Sequence, residues 1–204
     1  MQRKWMQAYT GIVIAVGLIF VLWGGYTAIR DNMAVPGYLS RTLFLVAICA
    51  VCRSMPIFLS QNKTMDLSVI SILMTYLTMG TAQAIFVYAM SSLVTFSHSE
   101  EEGKRVSCIY NTSPVKSLFN IGGVVIAVAF AGLACRLTGW RVGQFVYPQI
   151  LLVTVIFAAM AFLVNALIMM CLFSMIDGLD RYAASRMLVG LIPNVLPVML
   201  LGYV

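Results

Sequence analysis

Polar and apolar positions separate cleanly along this chain. Six long apolar stretches occupy residues 9–29, 38–59, 66–96, 119–135, 146–175 and 187–204, and nearly every charge lies between them or at their ends. A helix needs about 20 mostly apolar residues to cross ~30 Å of hydrocarbon. The pattern therefore predicts an all-α fold, a polytopic helical integral membrane protein with about six transmembrane helices. The count becomes five if the second stretch does not cross. Connections this short leave no room for a soluble unit, so residues 1–204 read as a single membrane domain. The first stretch follows Arg3 and Lys4 but exceeds a signal-peptide core of about 7–15 residues, so it is expected to be a retained span.

The stretches are not uniform. In the second, Arg41 and Arg53 bracket an eleven-residue apolar core, and Pro56 follows. Such a segment is a short or tilted span, or a re-entrant one. The third and fifth, read as single helices of about 30 residues, would reach ~45 Å. That exceeds the hydrocarbon thickness and predicts tilt or projection into water. The fourth is short, and the sixth carries Pro193, Asn194 and Pro197. Proline there frees helix carbonyls and permits a bend.

Small and polar residues inside the stretches say where helices meet. Lipid tails give helices no hydrophobic reason to associate, so small residues at the interface matter. Gly123, Ala127 and Ala131 recur every four residues on one face, with Gly122 and Ala134 nearby. Gly11/Ala15, Gly24/Ala28 and Gly80/Ala84 have the same spacing. These faces predict close contacts, within the chain or with another subunit. Gln83 and Asn165 lie mid-stretch, and Thr75, Thr78 and Thr81 line the third. They are candidates for interhelical hydrogen bonds or for polar contacts to a ligand. Arg41 and Arg53 either snorkel to opposite interfaces or hold a phosphate, a carboxylate or a lipid headgroup. No Asp, Glu, Lys or His lies mid-stretch, which counts against a proton-coupled pump.

Composition agrees with the pattern. Hydrophobic residues make up 61% of the chain and charged residues 10%, against about 25% charge in soluble domains. The net charge is +6, but the basic residues are scattered rather than clustered, so nucleic acid is not an expected partner. With six crossings, the connections on the N-terminal side carry Arg3, Lys4, Arg53, Lys63, Arg136 and Arg141. The other side carries Arg30, Arg41, Lys104, Arg105, Lys116, Arg181 and Arg186. Six against seven does not fix an orientation. Arg3 and Lys4 tip the balance towards an internal N-terminus.

Catalytic chemistry has few candidates. Cys49-Ala50-Val51-Cys52, followed by Arg53 and joined by Cys108 and Cys135, resembles the cysteine pattern of the quinone-reducing thiol oxidases. The resemblance implies a membrane thiol–disulfide oxidoreductase. Its working pair needs accessible sulfurs, whereas Cys49 and Cys52 sit in the apolar run 43–52. Cys135 also follows a whole span after Cys108. His98 beside Glu100, Glu101 and Glu102 reads as a solvated acidic loop, so no metal site is expected. No nucleotide, zinc-protease or serine-hydrolase motif is present. The sequons at Asn62 and Asn111 flank the third stretch and read as chance matches. Connections 97–118 and 177–186 carry mixed charge and could serve as interaction edges.

These observations favour a non-catalytic multi-pass subunit of a larger assembly in the inner (plasma) membrane, such as a secretion, conjugation or energy-transducing machine. Its expected partners are the lipid bilayer and other membrane subunits, with no cofactor. A small-solute transporter or its membrane substrate-binding subunit is the first alternative, with Arg41, Gln83 and Asn165 as its site. Thiol redox chemistry is the second.

Overall fold

The structure is a computed structural model that describes residues 2–54, 57–60, 63–65, 68–99, 105–108 and 113–177. Among the described residues there are six helices: α1 (Gln2–Ala34), α2 (Tyr38–Ser54), α3 (Ser68–Met79), α4 (Thr81–Val94), α5 (Pro114–Leu137) and α6 (Gln149–Asp177). Two small antiparallel ladders sit in the connections. Strands β1 (Ile57–Ser60) and β2 (Lys63–Met65) join α2 to α3, and β3 (Phe96–Ser99) and β4 (Arg105–Cys108) join α4 to α5.

The body is helical, as the apolar pattern requires. Among the described residues, three helical segments are long and apolar enough to cross a membrane: Lys4–Ala34, Pro114–Leu137 and Gln149–Met175. The protein is therefore placed in a membrane. The stretch at 187–204, with its two prolines, lies outside the described residues.

Helix ends follow local chemistry. α1 is 33 residues long, ~50 Å, and extends its apolar run at both ends through charged turns. It stops before Pro36-Gly37, where Gly37 takes φ 79 and α2 begins at once. A residue preceding proline is pushed out of the helical region, and Gly37 supplies the left-handed turn. α5 opens on Pro114, whose missing N–H costs nothing at that position. It runs for 24 residues, longer than its apolar stretch 119–135, and closes before Gly139 at φ 78.

The third stretch departs from expectation. Residues 66–96 are not one long helix. The chain breaks at Gly80 (φ 92, ψ 179) into α3, of 12 residues, and α4, of 14. Each spans only ~18–21 Å, too short to cross alone. α4 then runs back alongside α2 in the same direction. Thr42 of α2 meets Gln83 near the start of α4, Cys49 meets Ser91, and Arg53 meets Ser92. α3 descends from the end of α2 and α4 returns to it. Both β-ladders consequently lie at the same end of the bundle as the N-terminus of α1.

α5 lies parallel to α1, with Phe119 beside Tyr9 (ring centroids 6.2 Å apart) and Gly122 against Val13 and Gly17. α6 runs antiparallel to α5. Cys135 lies 3.5 Å from the Val153 carbonyl, and Gly123 faces Asn165 and Ile168. α4 is the hub, packed by α1, α2, α3 and α5. The largest buried ring cluster anchors the fold-back pair to α6: Tyr76 stacks on Phe157 at 4.5 Å and lies 5.4 Å from Trp140. The α5–α6 connection completes the reversal. Gly143 N–H donates to the Leu77 carbonyl at 3.0 Å, and Val142 covers Gly80. That bond satisfies one of the carbonyls that the end of α3 leaves open.

Candidate functional site

Several polar residues of the apolar stretches meet where α1, α2 and α4 pack together. Gln83 is fully buried, and its Nε2 donates to the Ala28 carbonyl of α1 at 3.4 Å. Its Oε1 lies 3.3 Å from Thr42 Oγ1. Asn32 Oδ1 and the Tyr38 carbonyl each lie 3.0 Å from the same hydroxyl. Thr42 has one proton for three acceptors. Turning the Asn32 amide lets its NH2 donate to Thr42, which then donates to Gln83, which donates to Ala28. This relay gives the Thr42 hydroxyl and the Gln83 amide oxygen their partners and ties three helices together.

One to three turns along, a second cluster holds Arg53. Its guanidinium donates to Ser92 Oγ and lies 4.4 Å over the ring of Tyr88. Ser92 and Ser91 each donate back to the Tyr88 carbonyl, at 2.7 and 2.8 Å. Ser91 Oγ also lies 3.2 Å from Cys49 Sγ. A cation over an aromatic face is worth about 0.5–2 kcal/mol, more as water is excluded. Among the described residues, Ser71 Oγ alone is a buried side-chain polar atom with no hydrogen-bond partner.

The residues singled out in the sequence are thus distributed unevenly. Gln83 and Arg53 both lie on the α2–α4 seam, in different clusters. Arg41 is exposed and points away from that seam's core. Asn165 is half-buried on α6 against Gly123, remote from Gln83 in the helix order. Arg53, in the last turn of α2, turns onto α4, whereas Arg41 lies near the opposite end of that helix. Thr42, Asn32 and Tyr88 were not singled out. A threonine next to an arginine, or a tyrosine in an apolar run, gives no sequence signal of its own. Their partners lie 10 to 41 residues away.

The small residues are spent on packing within the chain. Ala84 and Ala131 are fully buried, and Ala127 nearly so. A Cβ on Gly17 would fall on the Gly122 backbone, and one on Gly132 would overlap Thr81. Gly80 is the exception: paired with Ala84 by spacing, it serves instead as the turn. Gly11 also differs, with nothing within 4 Å of its Cβ position, and Ala8 and Ala15 on the same face are exposed.

Of the cysteines in the thiol-oxidase pattern, Cys49 is fully buried and Cys52 half-buried near the ladder end of α2. Cys135 is buried at the opposite end, beside Val153. The side chains of Cys108 and His98 lie outside those described. No group of three or more metal-ligating side chains occurs among the described residues. Chemically, the seam can join helices and present hydroxyl, amide and guanidinium groups. No protein-family model, no curated protein and no solved structure matches this chain.

Proposed function

We propose that this protein is a non-catalytic multi-pass subunit of a larger assembly in the inner (plasma) membrane, of the secretion, conjugation or energy-transducing kind. The observation that carries this reading is the unequal cover of the long helices. In α5, 56% of the membrane-length window is buried within the chain, against 22% in α1 and 28% in α6. Exposed apolar side chains alone are what lipid expects. The open Ala8, Gly11 and Ala15 face of α1 adds to them, because Gly17, Gly122 and Gly132 are used where helices approach closely. Another membrane subunit is the partner that such a face fits.

Extraction in mild detergent followed by affinity purification tests the reading. The expected result is a stable complex with other membrane proteins that Gly11→Leu weakens. A lone, monodisperse chain under conditions that preserve other membrane complexes would sink it.

A second reading, a small-solute transporter or its membrane subunit, draws on one feature. Two half-length helices meet at a glycine and carry buried hydroxyl and amide groups. Transporters build binding sites from interrupted helices of this kind. Ligand-dependent thermal stabilisation that Gln83→Leu abolishes would favour it over the first.

A further inference from the structure

Between α1 and α5, over the start of α4, lies a groove of about 210 Å³. Its walls are apolar and aromatic: Phe20 and Trp23 from α1, Phe130 and Leu133 from α5. Trp23, Phe130 and Leu133 are each about half exposed, so the groove opens to the lipid side of the bundle. Thr81 lies at its floor and Arg136, in the last turn of α5, at its rim. Arg136 is exposed, and among the described residues the one ion pair is Arg30–Asp31. Its charge thus has no carboxylate partner among them.

The placement gives the groove a direction. α5 is apolar up to Cys135 and turns polar at Arg136, which marks the headgroup level at this end. Tryptophan favours the same level. Below it the groove continues into hydrocarbon beside Phe130 and Phe20. The first turn of α4 also faces this region. An apolar slot in hydrocarbon, with a cation at headgroup depth, matches a chain with an anion at one end.

We propose that this groove seats one anionic phospholipid, its acyl chain along Phe20, Phe130 and Leu133 and its phosphate at Arg136. A soluble anion would leave the apolar walls unfilled. A zwitterionic lipid would bring a choline against the guanidinium. The inference rests on the membrane location alone and holds whether or not the chain works as a subunit.

The test uses the full chain in detergent, with dioleoyl phosphatidylglycerol or phosphatidylcholine added at equal mole fraction. Native mass spectrometry reads the bound lipid. The expected result is one phosphatidylglycerol retained about fivefold over phosphatidylcholine, the preference that one basic residue gives near an anionic headgroup. Arg136→Gln should bring the two lipids to parity. Arg141→Gln, at the same end but outside the groove, should keep the preference. Leu133→Trp should fill the slot and reduce retention of both. Equal retention of the two lipids by the unmodified chain would overturn the proposal. So would a preference that survives Arg136→Gln, or that Arg141→Gln removes as well. Unchanged retention in Leu133→Trp, or thermal stabilisation by glycerol 3-phosphate equal to that by phosphatidylglycerol, would overturn it too.

Discussion

Gly17 of α1 and Gly122 of α5 bring two membrane helices into backbone contact. A Cβ added to Gly17 would fall on Gly122, and one added to Gly122 would stand 3.0 Å from the Val13 carbonyl oxygen. Neither helix can yield here without moving the Tyr9–Phe119 contact further along the pair. This crossing orders the α1–α5 pair onto which α4 and α6 pack.

Gly122→Ala should therefore destabilise the fold by about 1–3 kcal/mol, the usual cost of overpacking a close contact. Thermal unfolding in detergent reads it as a lowered midpoint. Gly11→Ala, made in open space on the same helix, should leave the midpoint unchanged or raise it slightly, because alanine favours helix. Equal losses in both variants would remove the crossing from the account.

Gly80 should tolerate no side chain. At φ 92 and ψ 179 it occupies a region open almost only to glycine, and forcing another residue there costs on the order of 1–3 kcal/mol. Gly80→Ala should lower stability by that amount although the nearest atom to its Cβ, on Val142, is only modestly close at 3.3 Å. A Gly80→Ala, Val142→Ala double variant separates strain from crowding. Relief of the neighbour should recover little of the loss, and full recovery would contradict the backbone argument.

The fold-back of α3 and α4 predicts a membrane topology. Single cysteines at Ser60 and Ser99, in a cysteine-free background, should react with a membrane-impermeant maleimide from the side of the N-terminus. Ser40→Cys and Arg141→Cys, both at exposed positions, should react from the other side. A continuous helix over 66–96 would put Ser60 and Ser99 on opposite sides. By backbone position, the basic residues among those described then divide as Arg3, Lys4, Arg53, Lys63, Arg105 and Lys116 at the N-terminal end, against Arg30, Arg41, Arg136 and Arg141 at the other. Six against four favours an internal N-terminus, now with the connection around β3 and β4 on the same side.

The α1–α2–α4 relay should behave as interhelical glue. A double-mutant cycle on Thr42→Val and Gln83→Leu should give a coupling of about 0.6 kcal/mol, with ~1.7 as the upper range for such bonds in membranes. A coupling near zero would mean the two side chains act independently.

Arg53 should depend on the ring of Tyr88 more than on its hydroxyl. Tyr88→Phe should keep most of the stability, while Tyr88→Leu and Arg53→Gln should each lose about 0.5–2 kcal/mol. Losses that add fully in the double variant would show that the cation and the ring do not interact.

Much of the architecture was legible from the chain alone. Long apolar runs can be satisfied in lipid only as helices, since every backbone polar group must be bonded within its own segment. The stops are local too: Pro36-Gly37 and Pro114 act through their own backbone geometry. The seam could be suspected from Gln83 and Arg53, because buried polar groups seek partners, but not who the partners are. What only the tertiary structure decided is the use of Gly80. In sequence it is a small residue four positions before Ala84, equivalent to Gly123 before Ala127. One becomes a reversal and the other a contact with α6, because Gly143 bonds the last turn of α3 and Val142 closes over the break. Those residues lie more than sixty positions downstream. Hydropathy records how much of the chain lipid will accept. Whether an apolar run crosses once or folds back depends on contacts between distant residues, which hydropathy does not carry.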